Sequence, residues 1–330
     1  MRLPWGSLSE IWSLFLVNSE ICFIGCLSFE ERCRVAPLLV HALGGRNAVF
    51  EFIQIRDPDD AFPNYSDIIE SKIATNIETL SAKCITHDPF VADLLASEDD
   101  LLDLVDQTTD AKRRKTVVLD ITSFPKRFFC FFLKRFLLED AFRNVVVTYT
   151  EPGPDGHTQG HLAYDPLPCD HLPGFAGPLP PEADHLVISV GFETLNINSL
   201  LEVYRDRKQT KLICAFPPDR GAVRRQWNTL RQITSGRTET NIRSHMEVMA
   251  LWDAELVYLT LDRWSRSANG LALAPFGPKQ HSLGMTLFAI ETDCGLYYTQ
   301  PKSYDPEYSK GSGNSWAYVV KWDGLPCYRR

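Results

Sequence analysis

Two stretches of this sequence decide its fold: LDITSFPKRFF, from Leu119 to Phe129, and LALAPFGPKQHS, from Leu271 to Ser282. Each begins with an apolar run of the kind that forms a strand buried on both faces of a parallel sheet. A break of small residues and a Pro-Lys pair follow, and proline is well tolerated in the first turn of a helix. Each stretch therefore predicts a strand, a tight turn and a helix. The second begins about 150 residues after the first, which predicts a duplicated unit.

The same alternation of strands and helices runs through both halves of the chain. Continuous apolar runs predict strands, and the stretches between them predict helices, which together favour an α/β fold with mostly parallel sheets. We therefore predict two tandem Rossmann-like units that arose by internal duplication. The strands expected in the first unit are Ile21–Leu27, Ala48–Ile55, a short one near Cys84–Thr86, Thr116–Ile121 and Asn144–Pro152, and a helix is expected over Val91–Gln107.

The second half of the chain predicts a similar series. Strands are expected at His185–Val190 and Lys211–Phe216, and a helix is expected over Asn241–Trp252. The apolar segment AELVYLTL, Ala254–Leu261, is expected to be a strand. Near the C-terminus, Asp323-Gly324 between two apolar runs predicts a β-hairpin.

A segment of different composition separates the two halves. Residues 153–183 are rich in proline and glycine and are expected to form a connection between domains. This places the first Rossmann-like unit in residues 1–152 and the second, with its C-terminal β-hairpin, in residues 184–330.

Three short landmarks recur in the same order in both halves and support the duplication. Each lies where an expected strand ends or where a helix begins. The pairs are Ser28-Phe29-Glu30 with Gly191-Phe192-Glu193, Phe124-Pro125-Lys126 with Gly277-Pro278-Lys279, and Tyr149-Thr150-Glu151-Pro152 with Tyr298-Thr299-Gln300-Pro301.

The composition indicates a folded protein and excludes several classes. Of 330 residues, 44% are hydrophobic and 23% are charged, as in globular proteins. The net charge of −8 argues against broad, non-specific binding to nucleic acid. The nine cysteines form no Cys-x-x-Cys pair, so we expect reduced thiols in a cytoplasmic protein. Polar residues interrupt the apolar N-terminal region too often for a membrane span, and no membrane association is expected.

Both Pro-Lys turns are candidate ligand sites. In open parallel sheets, ligands bind beyond the carboxyl ends of the strands, often at a helix start where backbone N–H groups favour an anion. Lys126 and Lys279 fall in a first helical turn, where a bound phosphate or carboxylate would offset the unfavourable placement of a cation. Gly277 would allow a ligand close to the backbone, and Thr122 and Ser123 precede the first lysine. Solvated lysines at helix starts are the other interpretation.

Carboxylates near these turns are the candidates for chemistry. Asp120 ends a buried strand, where it could bind a ribose hydroxyl or a metal ion, or act with Glu30 as an acid–base pair. Glu30 and Glu193 hold matching positions, where a carboxylate could contact a ligand or simply complement the helix dipole. The second unit has Leu273 in place of Asp120. We therefore expect any chemistry in the first unit and binding alone in the second.

A loop near the C-terminus is a further candidate for ligand contact. Tyr304 and Lys310 lie in a segment rich in serine and glycine. An aromatic ring and a lysine could stack on a base and hold a phosphate. The same residues could equally pack a surface loop.

Several standard sites are absent from the sequence. There is no GxGxxG after the first strand, no Walker A sequence, no HExxH and no GxSxG. His157, His161, Cys169 and His171 are clustered, but their spacing matches no standard zinc module. We expect no metal site, and the sequence identifies no cofactor.

The chain is similar to the Rossmann-like proteins of bacterial antiphage loci, among them the CARF and SAVED families. The similarity spans most of the chain and lies in the two-unit plan and the strand-end turns GCLSFEER, DITSFPK, SVGFET and PFGPK. Those families bind cyclic oligonucleotide signals between paired Rossmann units, so the resemblance implies a nucleotide ligand. They usually have an appended effector. We expect no separate nuclease here, which implies action through a partner protein.

Three functions remain open from the sequence. The first is a nucleotide- or phosphate-binding module of a defence or signalling system, with the ligand held at the repeated turns between the two units. The second is an enzyme acting on a phosphorylated or nucleotide substrate through Asp120 and Glu30. The third is a non-catalytic structural subunit of a complex, in which the duplicated fold is only a scaffold.

Overall fold

The chain forms two compact units. The computed structural model describes residues 3–45, 48–85, 88–109, 115–139, 142–154, 156–157, 161–191, 196–204, 210–216, 223–234 and 246–328. The first unit comprises Met1–Asp165 together with Lys302–Arg330, and the second comprises Pro166–Pro301.

Strands and helices alternate along much of both units. In chain order the strands are β1 Trp5–Ser7, β2 Ile21–Leu27, β3 Val49–Arg56, β4 Phe90–Asp93, β5 Thr116–Asp120, β6 Asn144–Pro152, β7 Ala163–Pro166, β8 Asp170–His171, β9 His185–Val190, β10 Thr210–Phe216, β11 Met246–Ala250, β12 Leu271–Pro275, β13 Tyr297–Tyr298, β14 Pro301–Tyr304, β15 Ser312–Trp322 and β16 Leu325–Pro326. The helices are α1 Leu8–Ile11, α2 Val35–Ala42, α3 Ser66–Ser81, α4 Glu98–Thr108, α5 Lys126–Leu138, α6 Asn198–Val203, α7 Val223–Thr234, α8 Ala254–Ser265 and α9 Lys279–Thr292, with a π-helix at Trp12–Leu16 and a 3₁₀ helix at Glu31–Arg34.

The first unit is built on a mixed, mostly parallel sheet with the strand order β1-β15-β6-β5-β2-β3-β4. The five strands from β2 to β6 run parallel to their neighbours among them. Numbered along the chain, these five strands have the order 3-2-1-4-5, which is the Rossmann order. The α/β fold predicted from the alternation of strands and helices is confirmed. The short strand expected near Cys84–Thr86 is wrong at Cys84, which lies in a turn, and Thr86 lies outside the described residues. Strand β4 instead forms at Phe90–Asp93, within the start of the segment expected to be helical, and helix α4 begins at Glu98.

The central strands are apolar because both faces of the sheet are covered. Every residue of β2 and of β5 is buried. On α5, the side chains of Phe128, Phe132 and Phe136 recur at helical spacing and are fully buried. Each such ring contributes about 1.5–3 kcal/mol of hydrophobic stabilisation, so α5 is firmly fixed against the core.

The C-terminal strand lies in the sheet of the first unit. β15 pairs antiparallel with β6 from Ser312 to Lys321, whereas the sequence placed residues 302–330 in the second unit. Periodicity identifies a strand but does not specify which sheet it joins, because that depends on a distant partner. The predicted hairpin itself is confirmed: β15 pairs with β16, and Asp323 and Gly324 have φ angles of 50° and 83°, as a type I′ turn requires.

The second unit contains a parallel sheet with the order β11-β10-β9-β12. In chain order this is 3-2-1-4, the same as in the first unit. Leu296 adds a parallel bridge to Leu273 of β12, on the side where the first unit has its fifth parallel strand. The two units share a strand order, as the repeated landmarks predict.

Two expectations for the second unit are wrong. Met246–Ala250 forms strand β11 inside the range expected to be helical, although residues 241–245 lie outside the described part of the chain. The segment AELVYLTL opens helix α8 and is not a strand. The Asp253 carboxylate caps this helix by accepting a 2.8 Å hydrogen bond from the N–H of Leu256. A short apolar run fits a strand and a buried helix equally well, and here the buried positions recur three and four residues apart: Ala254, Val257, Tyr258, Leu261.

Candidate functional site

The carboxyl ends of β2 and β5 form the topological switch point of the first unit. β3 and β4 continue the sheet on one side of this pair, and β6 continues it on the other. The connections after β2 and β5 leave in opposite directions, and open α/β sheets bind ligands at such points. Glu30 follows β2 closely and Asp120 is the last residue of β5. Both predicted carboxylates therefore lie at the switch point.

The Asp120 carboxylate is held in a fixed orientation. Its side chain is buried, and Oδ1 accepts hydrogen bonds from the hydroxyls of Thr122 at 2.6 Å and Thr148 at 3.1 Å. The Thr122 hydroxyl in turn accepts a 2.9 Å hydrogen bond from the N–H of Thr150. Thr122, a predicted ligand-binding residue, thus links the end of β5 to β6 and orients Asp120.

Glu30 forms a buried ion pair with Arg32. The Arg32 side chain donates to Glu30 Oε2 from both Nε, at 3.0 Å, and Nη2, and both residues are buried. Arg32 Nη1 also donates a 3.0 Å hydrogen bond to the carbonyl of Thr150. Burial lowers the pKa of Arg32, but the Glu30 carboxylate outweighs this effect and holds that pKa well above its ordinary value. The pair joins the loop after β2 to strand β6.

The loop after β14 provides the remaining hydrogen bonds to the Glu30 carboxylate. The Tyr308 hydroxyl donates to Glu30 Oε1, and the Ser309 hydroxyl donates to Oε2 at 2.9 Å. The Tyr308 ring stacks on His157 with 5.7 Å between ring centroids. Burial, followed by the nearby Glu30 carboxylate, raises the pKa of Tyr308 well above its ordinary value. Both oxygens of Glu30 are therefore occupied by hydrogen bonds from this chain, which is the environment of an anchoring carboxylate.

The two predicted residues of this loop lie beside the residues that reach Glu30. Tyr304 ends strand β14 and is half-buried. Lys310 is exposed, and its ammonium lies 3.8 Å from the Glu307 carboxylate. The sequence singled out this loop for ligand contact, which stays a prediction, and it did not single out Ser309, because a serine has no recognisable pattern of its own. Arg32 was missed for the same reason, since an arginine two residues after a glutamate is common at protein surfaces.

Cys33 lies in the same cluster and was not predicted. Its Sγ is 3.6 Å from the carbonyl of Ser28, to which it can donate. Burial, with smaller contributions from the carboxylates of Glu30 and Asp120, raises the pKa of the Cys33 thiol to about 12. The thiol is therefore protonated and unreactive at neutral pH.

Helix α5 begins immediately after this cluster. Pro125 is its N-cap residue and provides no side-chain cap. Lys126 is the first helical residue, and only 8% of its surface is exposed. The hydroxyl of Ser123, just before the helix, is buried and has no hydrogen-bond partner among the described residues. The first unit thus brings Thr122, Ser123 and Lys126 to the predicted turn beside Asp120.

The switch point of the second unit, between β9 and β12, depends on close approach of the backbone. A Cβ atom on Gly277 would lie 1.9 Å from the Ser189 hydroxyl, and one on Gly191 would lie 1.9 Å from the carbonyl oxygen of Phe276. Only glycine allows the two turns to approach so closely. The space left by Gly277 is thus used by Ser189 of the neighbouring strand.

Helix α9 begins at this switch point and is buried almost throughout its length. Lys279 is its first residue and is half-buried. The ring of His281 spans two neighbours, with Nε2 2.9 Å from the carbonyl of Ala250 and Nδ1 3.5 Å from the Ser189 hydroxyl. Glu193, which the repeat aligned with Glu30, lies outside the described residues.

Gln280 differs from its neighbours in α9. It is fully buried, and neither its amide oxygen nor its amide nitrogen has a hydrogen-bond partner within the described chain. Burying an amide without partners costs about 1–3 kcal/mol by protein mutational measures. Sequence reasoning missed this residue because the burial of a glutamine depends on tertiary packing.

Other site types receive no support from the geometry. Within the described ranges, no group of three or more His, Cys, Asp or Glu side chains could hold a metal ion. No described helix combines the length and apolarity that crossing a membrane requires.

Comparisons with known proteins do not identify a family. No protein-family model matches the chain, and no curated protein matches it. The chain has a weak likeness to the cytoplasmic domain of a prokaryotic cation chloride cotransporter, with 9% sequence identity and a TM-score of 0.21 over 86% of this chain and 96% of that one. A likeness at this level supports no functional argument. These comparisons give no support to the CARF and SAVED resemblance. The Rossmann-like α/β fold is shown by the strand order of the structure itself.

Proposed function

We propose that the protein is a nucleotide- or phosphate-binding module whose ligand binds at the starts of α5 and α9. In each unit the ligand would be held by the first-turn backbone and by the lysine there, Lys126 in the first unit and Lys279 in the second. A partner protein would recognise the ligand-bound form. A place in a bacterial defence or signalling system is part of this proposal and rests on the resemblance drawn from the strand-end turns.

One observation supports the proposal above the others. Both units have the strand order 3-2-1-4, and in each a helix led by a lysine begins directly after the fourth strand. The switch point of such a sheet is where this fold class binds ligands, and a helix start favours an anion. The positive charge of a lysine in that position is repelled by the positive end of the helix dipole, and the negative charge of a bound phosphate would offset this repulsion.

Local details of the first unit fit a polar ligand. The buried Ser123 hydroxyl has no partner within the described residues, and it directly precedes the turn that leads into α5. The Asp120 carboxylate nearby is held by two threonine hydroxyls. A hydroxyl donor and a fixed carboxylate are groups that could hold a phosphorylated sugar.

An enzyme is the second candidate, and the fixed Asp120 favours it. A carboxylate oriented at a switch point could accept a proton from a substrate hydroxyl. Glu30 is poorly suited to act as a catalytic acid or base, because both its oxygens accept hydrogen bonds from Arg32, Tyr308 and Ser309. If chemistry occurs, we expect Asp120 to participate and Glu30 to stabilise the site.

The test is a thermal-shift and calorimetric titration with mono-, di- and cyclic nucleotides. It uses the wild type, Lys126→Ala, Lys279→Ala and Lys83→Ala, the last being an exposed turn lysine that serves as a charge-matched control. A ligand at 100 times its Kd raises the apparent stability by about 2.7 kcal/mol. We expect this gain in the wild type and in Lys83→Ala, and its loss in at least one of the other two variants.

Other outcomes would redirect the interpretation. Equal shifts in all four proteins would place the ligand away from the two turns and overturn the proposal. No shift with any nucleotide would favour a structural subunit. Conversion of the nucleotide during the titration, abolished by Asp120→Asn, would establish the enzyme instead.

A further inference from the structure

The buried amide of Gln280 points to a part of the ligand that the proposed function leaves unspecified. Gln280 is the second residue of the 14-residue helix α9, directly after Lys279. It has no exposed surface, and both polar atoms of its amide lack a hydrogen-bond partner within the described chain. Native proteins satisfy the large majority of buried polar side-chain atoms, so a doubly unpartnered amide requires an explanation.

The position of Gln280 directs its amide toward the helix start. Side chains of a helix lean toward its N-terminus, and Gln280 lies in the first turn. Pro278, the N-cap residue of α9, provides no side-chain cap, and the first backbone N–H groups of a helix have no partner within it. The amide and these N–H groups therefore both lie at the start of α9, which follows strand β12.

The chemistry of an amide restricts what it can bind. A primary amide presents one acceptor and two donors side by side, so its complement needs a donor next to an acceptor. The dianion of a phosphate monoester provides acceptors only and would leave the amide oxygen unsatisfied. The hydrogen-bonding edges of nucleobases provide such donor–acceptor pairs, and glutamine is a known bidentate partner of adenine.

We propose that Gln280 binds the base of a nucleotide ligand in the second unit through paired hydrogen bonds from its amide, while the start of α9 and Lys279 hold the phosphate. This inference rests on the proposed function and extends it by assigning a base-recognition residue. It also predicts a division of roles, because Lys279 acts on any phosphorylated ligand and Gln280 acts only on ligands with a base.

The first test measures stability without ligand, using Gln280→Met. Methionine has nearly the same length and volume but no strong hydrogen-bonding group. If the amide has no partner in the free protein, the variant folds and its Tm equals or exceeds that of the wild type. A lower Tm, or failure to fold, would show that the amide has an internal partner and would overturn the inference.

The second test compares two probes that differ only in the base: AMP and ribose 5-phosphate. In the wild type we expect AMP to bind about tenfold or more tightly than ribose 5-phosphate, as a bidentate base contact provides. Gln280→Met should remove that difference, whereas Lys279→Ala should weaken both probes by a similar factor. GMP, CMP and UMP identify the preferred base if AMP shows no advantage.

Each result of the second test is decisive. A preference for nucleotides that persists in Gln280→Met would refute the role of Gln280 and leave the proposed function intact. Equal binding of ribose 5-phosphate and all four nucleotides in the wild type would do the same. Absence of binding by every probe would overturn this inference, and the titration with di- and cyclic nucleotides would then decide the proposed function separately.

Discussion

The buried pair of Glu30 and Arg32 provides the sharpest test of how the first unit is stabilised. We consider Glu30→Gln, which keeps the shape of the side chain but removes its charge. The variant leaves the Arg32 guanidinium buried with no counter-ion. It can still donate to the new amide oxygen, and its other partners are the Thr150 carbonyl at 3.0 Å and the Tyr149 hydroxyl at 3.4 Å. Neither of these groups carries a compensating negative charge.

The expected loss follows from the cost of a buried charge without its counter-ion. Removing one member of a buried pair costs about 3–5 kcal/mol, compared with a total stability of about 5–15 kcal/mol for a typical domain. Glu30→Gln should therefore lose at least about 3 kcal/mol. Arg32→Met should also be destabilising, because it leaves the Glu30 carboxylate buried. The double variant should lose about 2 kcal/mol less than the sum of the single losses, since the two residues are in direct contact.

Hydrogen exchange followed by mass spectrometry is the suitable assay. Amides in the central strands β2 and β6 exchange through the largest openings of their unit, so their protection reports its free energy of unfolding. Glu31→Gln is the matched control. Its carboxylate is adjacent in sequence but 47% exposed and 3.5 Å from Arg34, so its loss should be below about 1 kcal/mol.

Two results would refute this reasoning. If Glu30→Gln and Glu31→Gln lose similar protection, the buried pair contributes no more than a surface pair. If the single losses add within about 0.5 kcal/mol in the double variant, Glu30 and Arg32 do not act as a unit.

Two further predictions follow from local geometry. Gly277→Ala should lower stability by about 1–3 kcal/mol, because its Cβ would lie 1.9 Å from Ser189 Oγ and 3.0 Å from Ser189 Cβ; adding Ser189→Ala should restore part of the Tm, and no recovery would contradict the clash. Burial raises the pKa of Asp57 to about 6, above the unfolded value of about 3.9, so the folded state binds the proton more tightly and stability falls as pH rises from about 4 to about 6. The free energy of unfolding of Asp57→Asn, relative to that of the wild type, should therefore rise between pH 4.5 and pH 7.5 by on the order of 1 kcal/mol, given the partial exposure of the site. If the difference between the urea midpoints of the two proteins is the same at both pH values, the pKa of Asp57 is not raised.

Much of the site could be placed from sequence because it lies at strand ends. The apolar runs before Glu30 and Asp120 identify two parallel strands, and the Pro-Lys pairs identify the helix starts that follow. The partners of these residues could not be predicted. Arg32, Tyr308 and Ser309 reach Glu30 from positions 2, 278 and 279 residues away, and the two distant contacts depend on where the C-terminal segment folds back.

The sequence by itself determined the buried strands, the turns after them and the repetition of the plan, because burial on both faces and helix starts leave local patterns. Tertiary structure alone decided that β15 joins the first sheet, that AELVYLTL is helical and that Gln280 is buried. These outcomes depend on which surfaces meet. A strand accepts any edge of suitable register, a short apolar run fits either a helix or a strand, and the environment of an amide is set by neighbours that local sequence does not specify.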